Sequence, residues 1–424
     1  MGRPANKSWR PLLAYSTNVH RGEGLKDVYR FLEAYTLPVK KQVTGAAPAG
    51  LELRLGIGTA RDLKSPRARE ELKGYLDGHG LVCFSINAYP LRDFHSRRVK
   101  EQVYLPSWAE AERSRWTNAI AGIFALLLPP GITGSISTLG GTFRPLGHDP
   151  PTFRKIAANF LRTVEDLDRI ERESGKTILL AVEPEPDTTF ETSEDVIDFF
   201  ETHLLPLALE RARRRRQAAG KAEARLRRFF TVNFDTCHFS VLFQDPVESL
   251  RRLWKAGIEV GKVHVTNAVR VRNPYRSREA YAELLAMDEP RYFHQFCGRS
   301  AAGETVWRGL DLDLLPARLE QGKHPDVVEL RSHYHVPIFL SKLGRLATTQ
   351  DETRAAVLEV LRTRRCSQLV IETYTWPLLE REERLVKGIV KEFRWLEGVI
   401  EKAGAQKARG KGRSPASAFP LPRA

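Results

Sequence analysis

From residue 12 to residue 373, short runs of apolar and β-branched residues alternate with longer stretches of helical spacing, and this alternation constrains the chain more than any other feature. Candidate strands are LLAYST (12–17), LELRLGI (51–57), LVCFSIN (81–87), GSIST (134–138), TILLAVE (177–183), FTVNFD (230–235), GKVHVT (261–266), VVELRSHYHV (327–336) and QLVIET (368–373). Between them, DPPTFRKIAANFLRTVEDLDRIERES and TSEDVIDFFETHLLPLALERARRRR carry apolar residues at helical intervals. The second opens with Thr192 three residues before Asp195, a helix-start signal. Such alternation predicts βα units around a parallel sheet. A chain of 424 residues holds one large α/β barrel with insertions, or two ordinary domains. No composition break divides it before the C-terminal tail. Nine candidates are one too many for an eight-stranded barrel, and the gap from 267 to 367 far exceeds a normal βα connection. The expected fold is therefore α/β, a single (β/α)8 barrel over residues 10–400. An insertion at about 270–350 folds over its mouth and holds 327–336; the alternative is that an early candidate is false.

The formal net charge of +15 suggests nucleic acid until it is located. Residues 211–228 hold nine basic residues and one acidic, and the tail 402–424 holds six basic and none acidic, so the body is nearly neutral. A solvated helix end is the favoured reading of the first run, with contact to an anionic membrane or RNA left open for both basic segments. The tail, rich in Gly, Pro, Ser and Lys/Arg, reads as disordered. Neither a dinucleotide-binding GxGxxG nor a P-loop is present. No leader reads as a secretory signal, and AIAGIFALLLPP is too short to span a membrane. The four cysteines (Cys83, Cys237, Cys297, Cys366) show no CxxC spacing. A cytoplasmic protein is the default expectation.

Chemistry gathers at the strand ends. LLAVEPEP delivers Glu183, VNFDTCH delivers Asp235 and His238, KVHVTN delivers His264, and LVIETYTW delivers Glu372. In a parallel barrel these side chains meet at the carboxyl face. Three carboxylates and an imidazole suit a divalent ion such as Zn, Mn, Co, Mg or Fe. A single strand-end carboxylate more often caps a helix or pairs with arginine; four ligand-type residues in series are harder to explain that way. His333 and His335, two apart, face one side of a strand and could be further ligands. Glu185 competes with Glu183, and Pro184 and Pro186 favour Glu183 as the strand's last residue.

The order Glu183, Asp235, His264, Glu372 resembles the metal site of the xylose-isomerase-like TIM-barrel superfamily, which includes sugar isomerases, ketose epimerases and endonuclease IV. DTCH at 235–238 is similar to the endonuclease IV form of the motif. YSTNVH, NAYP with VKEQVY, HYHVP and ETYTW more narrowly resemble the EboE-type metabolite traffic proteins. The resemblance spans roughly residues 10–400. It implies Glu183 and Glu372 as metal-holding, proton-exchanging glutamates, Asp235 and His264 as ligands, and His238 as a contact to substrate oxygen or metal. His333 and His335 stand where endonuclease IV has an Asp-x-His pair, a departure that leaves a multinuclear site in doubt.

Arg270, His20 and His95 are further substrate-binding candidates; Arg270 reads equally as a surface arginine, while for His20 and His95 a hydrogen-bonded structural histidine is the favoured reading; His294 falls in the insertion. The implied partners are a small polyol, sugar or metabolite precursor and other proteins of the same pathway. Three functions remain: an isomerase or epimerase, a non-catalytic metabolite-binding barrel, and an endonuclease IV-like nuclease. The neutral body argues against the last, because phosphate-backbone binding needs a basic substrate face.

Overall fold

A strand that is apolar on both faces needs cover on both, and a parallel sheet ringed by helices supplies it. The computed structural model describes residues 9–92, 94–96, 98–320, 326–379 and 384–410. In it, β1 (Leu12–Tyr15), β2 (Ala49–Arg54), β3 (Leu81–Asn87), β4 (Gly134–Leu139), β5 (Ile178–Glu183), β6 (Phe230–Asp235), β7 (Val260–Val265) and β14 (Gln368–Ile371) form one eight-stranded sheet. Its order is β1-β14-β7-β6-β5-β4-β3-β2, so the first and last strands pair in parallel, with Leu12 opposite Gln368. A parallel bridge from Ser16 to Glu52 brings β1 to β2 and the sheet nearly to closure. This is the expected (β/α)8 barrel.

Local signals set the helices around it. In the helix Pro150–Ser174, Asp149 caps the amide of Thr152, and Gly175 ends it at φ 69°, a left-handed turn suited to glycine. Thr192 and Asp195 form the expected capping box at the start of Ser193–Phe199.

The remaining strands are β8 (Asn267–Arg272), β9 (Phe296–Ser300), β10 (Thr305–Gly309), β11 (Val327–Val336), β12 (Lys342–Leu343) and β13 (Leu346–Thr348), which form a second sheet ordered β10-β9-β11-β8-β13-β12. All its pairings are antiparallel. It buries an apolar cluster of its own, with Phe296, Trp307, Leu330 and Tyr334. The surplus ninth candidate, 327–336, is β11, inside the expected insertion.

The basic run is held by acidic partners. Arg211 and Arg215 pair with Glu165, Arg225 with Asp168, and Arg228 with Glu171, all on the helix Pro150–Ser174. The last helix spans Leu385–Gly410 and so runs into the segment expected as a disordered tail from 402. The sequence EKAGAQKARG is rich in good helix formers, which favours continuation. Residues 411–424 of that tail lie outside the described residues. All four cysteines are free and buried. No helix among the described residues is long and apolar enough to cross a membrane.

Candidate metal centre at the barrel mouth

The four strand-end residues converge. Glu183 is the last residue of β5, Asp235 the last of β6, His264 lies one short of the end of β7, and Glu372 follows β14. One ligand atom from each lies within 4.8 Å of all the others. Around Nδ1 of His264, Glu183 Oε1 stands at 2.9 Å, Glu372 Oε2 at 3.0 Å and Asp235 Oδ2 at 3.9 Å.

The surroundings orient each group. Asp235 Oδ1 accepts from the amides of Cys237 and His238, which leaves Oδ2 buried without a hydrogen-bond partner. Glu372 Oε1 accepts from Asn18 (2.7 Å) and Asn87 (3.0 Å). On its far side, Nε2 of His264 lies 3.1 Å from Glu52, and Glu52 is ion-paired with Lys262; both are fully buried. Ser85 donates to Glu52 at 2.6 Å. A histidine with one nitrogen fixed on a carboxylate presents the other to a metal in a set orientation.

Three carboxylates in so small a space repel one another. Burial, then Glu372 and Glu183, push the carboxyl of Asp235 well above its usual range. Burial opposes the charge of His264, but Glu372, Glu183 and Glu52 together hold its imidazolium well above the ordinary value. A divalent cation relieves this crowding and supplies a partner for Asp235 Oδ2. The donor set therefore fits an ion.

A second convergence adjoins the first. His238 donates from Nδ1 to the carbonyl of Pro184 (2.8 Å), His335 to that of Glu372 (2.8 Å), and His333 to Oε1 of Gln295 (2.7 Å). Each acceptor is a carbonyl oxygen, so each Nδ1 carries the hydrogen and each Nε2 a lone pair. Those Nε2 atoms face one another: His238 to His333 at 3.1 Å, and His333 to His335 at 3.1 Å. Tetrahedral nitrogen donors on one zinc ion lie about 3.3 Å apart, from bond lengths of about 2.0–2.1 Å. Burial lowers His238 to about 4 and His333 and His335 well below their ordinary range, so all three are neutral. Asp235 Oδ2, 3.9 Å from His335 Nε2, stands between the two clusters.

The chain matches no protein-family model and no curated protein sequence. Its structure is similar to that of a xylose isomerase domain protein from Planctomyces limnophilus, with TM-score 0.50 and 13% identity over 94% of this chain and 99% of that one. The fold is that of the xylose-isomerase-like TIM barrels. Other similar structures are a xylose isomerase-like TIM barrel protein from Mycobacterium smegmatis in complex with magnesium (TM-score 0.49, 14% identity, 93% of this chain and 98% of that) and an L-ribulose 3-epimerase (TM-score 0.47, 11% identity, 96% and 100%).

In this xylose-isomerase-like barrel, the pocket above the two clusters is lined by Glu183, Glu185, His238, His333, His335 and Glu372 among others. Three expected substrate contacts do not line it. His20 is stacked on Tyr35 and Phe31 and bonded to Tyr15, an aromatic nest on another groove. His95 lies behind the wall, bonded to the backbone carbonyl of Asn18. Arg270 sits on β8, paired with Asp351. His294 also stands behind the site, its Nδ1 bonded to the carbonyl of His333.

Sequence reasoning overlooked Asn18, Asn87, Gln295 and the pair Glu52–Lys262. The only signal for that pair was a charged residue at mid-strand in both LELRLGI and GKVHVT. Glu185, weighed only as a rival to Glu183, accepts from Tyr89 and Tyr104 and also offers a carboxylate oxygen within 4.8 Å of ligand atoms of His238 and His333. Burial pushes its carboxyl up to about 8.

Proposed function

We propose that this protein is a metal-dependent isomerase or epimerase acting on a small sugar, cyclitol or related polyol. The observation that carries this reading is the pair Glu183 and Glu372, which flank one histidine nitrogen at 2.9 and 3.0 Å on the floor of the pocket. Glu183, Asp235, His264 and Glu372 would hold one ion, and His238, His333 and His335, with Asp235 between, a second. A bound divalent ion polarises a carbonyl and the adjacent hydroxyl, acidifying the hydrogen between them. The chain's own groups then handle protons. Asn18 and Asn87 fix the carboxylate of Glu372 through Oε1, and that carboxylate would accept the hydrogen from carbon; Glu183 is placed to return one. Glu185, neutral below about pH 8 through burial, can donate to a substrate oxygen.

The EboE-type motifs support placing this reaction in the making or movement of a secondary-metabolite precursor, with proteins of that pathway as partners. Neighbouring genes for prenyl transfer, cyclisation or hydrolysis would bear on that assignment. The three-histidine cluster favours a second reading, phosphoester hydrolysis at a two-metal centre. Duplex binding is the weakest form of that reading, since the basic run 211–228 is ion-paired on the outer helices.

The test is deuterium incorporation from heavy water into ketoses, cyclitols and their phosphates, with metal content measured beside activity. The metal-loaded wild type is expected to exchange. Metal-loaded Glu372→Gln should lose about 10²–10⁴-fold of that rate, whereas Asp235→Asn should fail first in metal retention. A metal-loaded wild type that binds such a compound but exchanges nothing would favour the metabolite-binding barrel; release of phosphate would favour the hydrolase.

A further inference from the structure

Between the ligand clusters and solvent, the pocket is walled by Phe94, Val99 and Val103 from the connection after β3, Tyr292 and Phe293 from the insertion, and Tyr374 after β14. Three of these rings pack on one another. Phe94 and Tyr292 lie 5.0 Å apart, Tyr292 and Tyr374 5.0 Å, and Phe94 and Tyr374 5.3 Å, while Tyr374 also packs on His335 at 4.6 Å. They form an apolar cluster separate from the barrel core, so the fold does not need them to fill the barrel.

The wall offers little to a charged group. The hydroxyl of Tyr292 donates to the carbonyl of Phe94 at 3.0 Å, and those of Tyr89 and Tyr104 serve Glu185. Lys100, the single cation lining the pocket among the described residues, is ion-paired with Asp311, and both side chains are nearly buried. It also lies 5.5 Å from the centre of the Phe293 ring. A phosphate at the mouth would have to break that pair and desolvate against aromatic carbon.

We propose that the substrate is an unphosphorylated polyol or hydroxy-carbonyl compound that carries an apolar substituent, aryl or branched alkyl. Its oxygens meet the ion and its substituent lies against the apolar wall of Phe94, Val103, Phe293 and Tyr374. This rests on the reading of the site as a metal-dependent isomerase, and it narrows the substrate class. Apolar burial is worth about fourfold in affinity per methylene, so a phenyl-sized group should bring at least about tenfold.

The experiment separates the two readings by using metal chelators rather than turnover. Binding of acetohydroxamate, 3-phenylpropanohydroxamate and phosphoglycolohydroxamate to the metal-loaded full chain is measured by calorimetry. The phenyl compound should bind at least about tenfold tighter than acetohydroxamate, and the phosphate compound no tighter than acetohydroxamate. Phe94→Ala should erase the phenyl preference while keeping acetohydroxamate affinity and metal content; Phe94→Leu, a smaller disturbance to folding, should reduce it in part. Tighter binding of the phosphate compound overturns the proposal, as does equal binding of all three or no binding of any. A phenyl preference without deuterium exchange would leave the substrate class standing and the isomerase reading fallen.

Discussion

At the scale of single residues, the site rests on a charged pair that does not line the pocket. Glu52 and Lys262 meet inside the barrel, both without solvent, and Glu52 fixes the far nitrogen of His264. Removing one partner of such a pair leaves the other charge buried and alone. Lys262→Met should therefore lose about 3–5 kcal/mol of stability in urea denaturation, and the double variant Glu52→Gln with Lys262→Met should recover most of it. A loss below about 1 kcal/mol for the single variant would show that another group neutralises Glu52. The contrast with the four convergent strand-end residues explains what the sequence discloses. Glu183, Asp235, His264 and Glu372 are legible because each ends or follows an apolar run, where a charge needs a reason. Glu52 in LELRLGI instead alternates with leucines and reads as the wet face of a strand. His20, His95 and Arg270 misled for a related reason: position after a strand brings a residue to the mouth but does not aim its side chain.

At the scale of elements, the last helix reaches the site through Glu392. Its carboxylate accepts from the Thr373 hydroxyl, the Trp376 indole and the amide of Ile338, thereby fixing the turn that follows Glu372. Burial raises this carboxyl to about 7. An acid whose folded value lies above its unfolded value stabilises the fold while protonated. That stability falls as pH rises from about 4.5, the unfolded value, to about 7, and is level beyond. The wild type should thus lose up to about 3 kcal/mol relative to Glu392→Gln across that window. Chemical denaturation at pH 5, 6, 7 and 8 checks it, and a constant difference would mean that Glu392 titrates normally. The barrel strands were legible because each is an apolar run bounded by turn residues; β11 was too. The short strands β9, β10, β12 and β13 were not. Segments such as FCGRS and TVWRG owe their conformation to the neighbours they pair with rather than to their own pattern.

At the scale of the molecule, barrel and insertion meet at the second cluster. His238 follows a barrel strand, whereas His333 and His335 lie on β11 of the antiparallel sheet. A metal held by all three would fasten one sheet to the other. The full chain should take up two divalent ions, and the variant His333→Ala with His335→Ala should take up one while keeping the ion of Glu183, Asp235, His264 and Glu372. Elemental analysis after dialysis counts them. In the wild type, chelation should expose the insertion to protease before the barrel, since two of its ties to the mouth are lost; one ion per wild-type chain would disprove the second cluster. The share of the +15 charge carried by 211–228 belongs to this scale too: Arg211, Arg215, Arg225 and Arg228 pair with the acids of Pro150–Ser174 and mark a join between helices.

The pairing of β1 with β14 bears on how the protein is made. Synthesis delivers β1 first and the entire insertion before β14, so seven strands must wait as an unclosed sheet with exposed edges. The insertion, whose sheet pairs only its own strands, is free to fold during that wait. Glu372 then arrives with the closing strand. A nascent chain thus cannot bring Glu183, Asp235, His264 and Glu372 together before its barrel is ready to close, and a metal held by that set would be captured late, as the report of a finished molecule.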